Sequence, residues 1–150
     1  MDKSKIFNIV SPPSELSEKE NVLARSYKDL IYFGRAFLST DFLNKSQSPF
    51  FHYEIAKKLI TTKPGARLCN ILPRGFGKSI LAKAAILHKI CFSASDERNF
   101  IAWVAEEQGQ AIDHLKYVRN HLESNKSIQY YFGQLAGDLV GKRWTEKDLV

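Results

Sequence analysis

The sequence predicts an α/β fold: the N-terminal portion of a three-layer parallel sheet, preceded by a helical segment. Three observations carry that expectation. From Ala66 onward, apolar runs and helical stripes follow in the order strand, loop, helix, strand, helix, which is the pattern of a β-α-β unit. Between the first apolar run and the first of these helices stands a glycine-containing loop, "LPRGFGKSI", at residues 72–80. Ahead of Ala66 the periodicity is helical only.

The elements follow in order. Residues 1–16 are polar, contain Pro12-Pro13, and read as a flexible arm; residues 17–150 read as one domain, itself incomplete. Ser17 and Glu20 have the spacing of a capping box, so a helix is expected from there through about Leu38. Its apolar face would carry Leu23, Tyr27, Leu30, Gly34 and Phe37. "STDFLNKSQSP" reads as a loop, and Pro49 opens a helix whose Phe51, Ile55 and Leu59 share a face. "TTKPG" stops it.

"ARLCNIL", residues 66–72, is a short apolar run suited to a buried strand, with Pro73 ending it because proline cannot donate to a ladder. Residues 79–92 contain neither glycine nor proline and predict a helix. "NFIAWVA", residues 99–105, predicts a second buried strand. A further helix is expected from about Glu106 to Leu122, with Ala111, Leu115, Val118 and Leu122 on one stripe. The tail from Ser127 is less regular.

Composition narrows the class. The 150 residues are 44% hydrophobic and 25% charged, which suits a globular chain and argues against disorder. No apolar run approaches the roughly 20 residues of a membrane span. The start, "MDKSKIFNIVSPPSE", lacks the apolar centre of a secretion signal, so a cytosolic setting is expected. Cys69 and Cys91 then read as buried small hydrophobes. The net charge of +6 is uneven: residues 61–100 hold seven Lys/Arg against two acids. That excess suits a polyphosphate or nucleic-acid partner, or else a solvated basic face.

The loop carries the chemistry. A phosphate-binding P-loop is written G-x-x-x-x-G-K-[ST]. Gly77-Lys78-Ser79 supplies its end, but Leu72 stands where the first glycine belongs. Leu72 reads instead as the last residue of the buried strand. Within Pro73–Ile80, Gly75 and Gly77 would turn with positive φ and bring the amides around Phe76 against phosphate oxygens. Lys78 would reach the β- and γ-phosphates, and the Ser79 hydroxyl is a hard oxygen ligand for Mg²⁺. Arg74 stands four residues before Lys78, placed to act as an arginine finger on the γ-phosphate or to lie in solvent.

With that motif string in view, the chain resembles the N-terminal ATPase part, truncated, of the large terminase subunit of tailed bacteriophages. "LPRGFGKS" looks like that family's deviant Walker A. "SPFFHYEIAKKLI" is similar to its segment around the adenine pocket, and "NFIAWVAEEQGQAIDHLKYVRNHLE" to its second strand and following helix. "YFGQLAG" and "KRWTEKDLV" resemble the approach to its next strand.

The resemblance implies a P-loop NTPase of the ASCE type that binds ATP and Mg²⁺. Lys78 and Ser79 would hold phosphates and metal, and Arg74 would be the cis-acting arginine. His52 falls where the family often has an adenine-reading glutamine; a helix-surface histidine is the other reading. It further implies a motor that moves double-stranded DNA in the cytoplasm of an infected host, with a portal protein and a small terminase subunit as partners and a homo-oligomeric ring as its assembly.

Hydrolysis needs a Walker B strand ending in Asp-Glu. Asp96-Glu97 follows a turn and Asp138 follows no strand, so that element and the nuclease domain are expected beyond Val150. This portion alone is expected to hydrolyse little ATP. A helicase-like P-loop ATPase and a nucleotide-binding remnant without turnover are the alternatives. His114 and His121 lie seven apart on one helix and read as surface residues before metal ligands. Trp103 and Trp144 read as core or interface residues.

Overall fold

The computed structural model describes residues 17–42, 47–63, 65–93 and 101–135. Six helices run through them: α1 (Glu18–Lys28), α2 (Leu30–Phe37), α3 (Phe50–Thr61), α4 (Lys78–Phe92), α5 (Gln108–Ser124) and α6 (Lys126–Phe132). The chain divides into two compact units, Met1–Glu97 and Arg98–Val150. The arm, Asp96-Glu97, Asp138 and Trp144 lie outside the described residues.

The expected parallel sheet is not there: among the described residues no strand forms. A strand persists only where neighbouring strands satisfy its amides and cover its faces. Residues 66–72 run without secondary structure and in the open, with Leu68 45% and Ile71 90% exposed. Leu72, expected to end a buried strand, is half-buried at the edge of the loop, and Cys69 is exposed where a buried thiol was expected. Asn99 and Phe100 lie outside the described residues, and Ile101–Ala105 also forms no ladder. Its exposure alternates, Ala102 and Val104 open and Ile101, Trp103 and Ala105 half-buried, so only one side is covered. The α/β expectation is therefore corrected to an all-helical architecture among the described residues.

In the first unit α2 is the centre, packing against α1, α3 and α4. Its sequence LIYFGRAF is apolar almost all round, as a helix enclosed by neighbours must be. Leu30, Ile31, Phe33 and Phe37 are all buried. Leu23 of α1 and Leu81, Ala84, Leu87, Cys91 and Phe92 of α4 are buried as well, on the helices that pack against α2. Each large apolar side chain so buried stabilises by about 1.5–3 kcal/mol.

The single helix expected from Ser17 to Leu38 is two. Ser17 and Glu20 form the capping box that starts α1, and the bond from the Ser17 amide holds the Glu20 carboxyl below its usual range. Asp29 then breaks the run. Its backbone is extended, and its carboxylate accepts from the Ile31 and Tyr32 amides at 2.9 and 3.0 Å, starting a new helix.

One buried polar contact ties the first and last helices of this unit. His88 of α4 donates from Nε2 to the carbonyls of Ser26 and Tyr27, each at 3.1 Å, at the C-terminal end of α1. Carbonyls only accept, so the proton sits on Nε2. Burial holds this imidazole below its usual range, against a weaker upward pull from the two carbonyls.

Gly34 makes room for Phe42. A Cβ at Gly34 would lie 2.6 Å from two ring atoms of Phe42. Gly34→Ala is thus expected to destabilise the unit by about 1–3 kcal/mol through overpacking, despite alanine's better helix propensity. A thermal melt at or above the parent's would contradict this packing.

In the second unit α5 packs on α6, and Val118 and Leu122 of α5 and Ile128 of α6 are buried. The irregular tail expected from Ser127 is in part a helix. Asn125 caps it, its side-chain oxygen accepting from the Ser127 and Ile128 amides at 3.0 and 3.1 Å. Trp103 lies 4.4 Å from the His114 ring, centroid to centroid. The Asn125 amide donates to Nδ1 of His121 at 2.9 Å.

Candidate functional site

The loop between Leu72 and α4 turns at two glycines, with no strand formed beside it among the described residues. Gly75 and Gly77 turn with φ of 82° and 71°, in the left-handed region where a side chain is strained. Gly77 is the N-cap of α4 and brings no side-chain cap. The first helical amide bond runs from Leu81 to the Gly77 carbonyl at 3.0 Å. The Lys78, Ser79 and Ile80 amides therefore find no acceptor among the described residues, and the helix dipole adds partial positive charge there.

Lys78 bends back into the loop. Its Nζ donates to the carbonyls of Leu72 at 2.5 Å and Pro73 at 2.7 Å. An ammonium with three donors thus has two committed to carbonyls and sits inside the curl of the chain. Arg74 and Ser79 are exposed, and Pro73, Gly75 and Phe76 are exposed with them. Ile80 is half-buried on the first turn of α4.

His52 belongs to this site. It stands half-buried on α3, and its Nε2 donates to the Phe76 carbonyl at 3.0 Å. A Cβ on Gly77 would lie 3.2 Å from that same nitrogen, so the glycine is also what lets the imidazole approach. Beside it, the Phe51 ring lies 5.8 Å from that of Phe76, and Phe51 meets His52 edge-on at 4.7 Å. Through these contacts α3 braces the loop.

A cleft of about 240 Å³ opens next to the loop. Arg35, Asp41, Gln47, Ser48 and His52 line it with polar groups, and Phe42, Pro49, Ile80 and Leu81 with apolar ones. Gly77 forms part of its wall, so the loop and the cleft adjoin. Arg35, Asp41 and Gln47 were not singled out by sequence reasoning. The only local hint was that Gln47 and Ser48 immediately precede the proline that starts α3.

Among the described residues, no group of three or more His, Cys, Asp or Glu side chains is placed to hold a metal ion. No described helix is long and apolar enough to cross a membrane. Comparison of the chain with protein-family models, with curated proteins and with solved structures finds no match.

Proposed function

We propose that the loop Leu72–Ile80 binds the polyphosphate of ATP, and that the chain is the ATP-binding portion of the viral DNA-packaging motor its motif string resembles. The observation that carries this reading is the position of the Lys78 ammonium within the loop, bonded only to carbonyls. Phosphate oxygens are stronger acceptors for an ammonium than neutral carbonyls, because the bond is charge-assisted on both sides. A nucleotide would therefore draw Lys78 from Leu72 and Pro73 onto its phosphates. The unpaired amides of Lys78, Ser79 and Ile80 would meet the same anion.

The adjoining cleft accommodates the rest of the nucleotide. Its Arg35, Asp41 and Gln47 side chains supply donors and acceptors, and Phe42, Pro49 and Ile80 supply apolar walls, the mixture a small-molecule site needs. His52 has spent Nε2 on the Phe76 carbonyl and offers Nδ1 as an acceptor. Mg²⁺ would arrive with the nucleotide, held by its phosphates and the Ser79 hydroxyl, since the described residues bring no acid cluster of their own. Arg74, exposed, would swing onto the γ-phosphate. Translocation of double-stranded DNA, the portal and small-subunit partners and a ring assembly are proposed on the resemblance of the motifs alone.

Titration of the native chain with Mg-ATP, Mg-ADP, AMP and adenosine tests the reading calorimetrically. Affinity is expected to fall in that order, because each lost phosphate removes contacts with Lys78 and the loop amides. Equal affinity for ATP and adenosine, or no binding of ATP, would exclude a polyphosphate site.

A further inference from the structure

The outer face of α3 and the segment that follows it are not used by the loop or the cleft. Along that face the exposed residues run Phe50, Tyr53, Glu54, Lys57, Lys58 and Thr61. Helical spacing puts Phe50, Tyr53 and Lys57 on one stripe, with Glu54 and Lys58 on the next. Phe50 is 77% exposed and Tyr53 40%. Lys63 and Arg67 continue the positive charge in the exposed segment beyond the helix.

Between Phe50 and Ile71 the chain carries four cations, Lys57, Lys58, Lys63 and Arg67, against one acid, Glu54. No carboxylate among the described residues forms an ion pair with any of the four. Exposed aromatic rings next to unpaired cations combine the two contacts a single-stranded nucleic acid requires. Bases stack on rings, and phosphates meet ammonium and guanidinium groups. A duplex leaves no base face free for Phe50 or Tyr53, whereas an unpaired strand does.

We propose that the outer face of α3, from Phe50 through Lys58 and on to Arg67, is a docking surface for single-stranded nucleic acid. Phe50 and Tyr53 stack on bases, and Lys57, Lys58, Lys63 and Arg67 track the backbone. The assignment does not rest on nucleotide binding at the loop, since none of these residues contributes to that site.

Fluorescence anisotropy of the full chain with a labelled oligothymidylate and with a duplex of equal length tests it. The single strand is expected to bind more tightly, with affinity falling steeply as salt rises. Lys57→Glu with Lys58→Glu is expected to weaken binding about tenfold or more and to lower the salt slope by about one per lysine. Phe50→Ala with Tyr53→Ala is expected to weaken the single strand about tenfold while leaving the salt slope in place. Lys116→Glu with Lys126→Glu, exposed positions of α5 and α6, should leave binding unchanged.

Tighter binding of the duplex, no effect of the α3 variants, or an equal effect of the α5 and α6 variants would each overturn the assignment. So would binding to phosphatidylserine vesicles in place of the oligonucleotide. Circular dichroism of each variant guards against loss of fold; all the substituted side chains are exposed.

Discussion

Lys78→Ala is expected to lower the affinity of the chain for Mg-ATP by about ten- to a hundredfold, with no change in its helical content. The size follows from hydrogen bonds between charged groups, worth about 1.5–3 kcal/mol, at 1.4 kcal/mol per factor of ten. The lysine is placed to make such bonds because its Nζ already lies within hydrogen-bond reach of the loop's first carbonyls. The fold should survive, because both accepting residues lie in the exposed or half-exposed loop. Lys78→Arg retains the charge but not the compact ammonium that fits the curl, so partial binding is expected from it. Calorimetry on the three chains reads the result. Unchanged ATP affinity in Lys78→Ala would remove the phosphate reading of the loop altogether.

Phe33→Ala is expected to cost about 3–5 kcal/mol of stability in the first unit. Phe33, at 0% exposure, is the largest of the fully buried side chains among the described residues. Its ring lies 5.0 Å from Phe37, 5.3 Å from His88 and 6.2 Å from Phe92, so it joins α2 to α4. Removal leaves a cavity next to the imidazole that holds the end of α1. For a unit of this size the melting temperature should fall by more than about 12 °C, at about 4 °C or more per kcal/mol. Phe33→Leu keeps much of the volume and should cost less. A melt within a degree or two of the parent would show that α2 is not the centre of this unit.

Both results depend on tertiary contacts of very different legibility. The capping box of Ser17 and Glu20, the proline before α3 and the glycines of the loop act over three or four residues. Their geometry could be read directly from spacing, and the structure carries each of them. The apolar stripes of α2 and α5 were readable for the same reason, and α4 from its lack of glycine and proline. Asp29 was not read as a break because an unbroken apolar periodicity passes through it. Only its carboxylate, turned back onto two amides, separates α1 from α2.

The strands failed for a different reason. "ARLCNIL" and "NFIAWVA" have strand-like composition, yet a strand is a property of a pair. Composition says nothing about whether a neighbour is present to accept its amides. Of the site itself, the loop from Pro73 to Ile80 was readable, and His52 came into view only through resemblance. Its bond to the Phe76 carbonyl spans 24 residues of sequence, and the contact of His88 with Ser26 spans 62. By itself, then, the sequence determined the local features: where helices start, where the backbone turns at Gly75 and Gly77, and which cations crowd the loop. The tertiary structure alone decided that, among the described residues, packed helices and not a sheet carry that loop. Burial and long-range pairing depend on what the rest of the chain brings alongside, and no short stretch of residues encodes that.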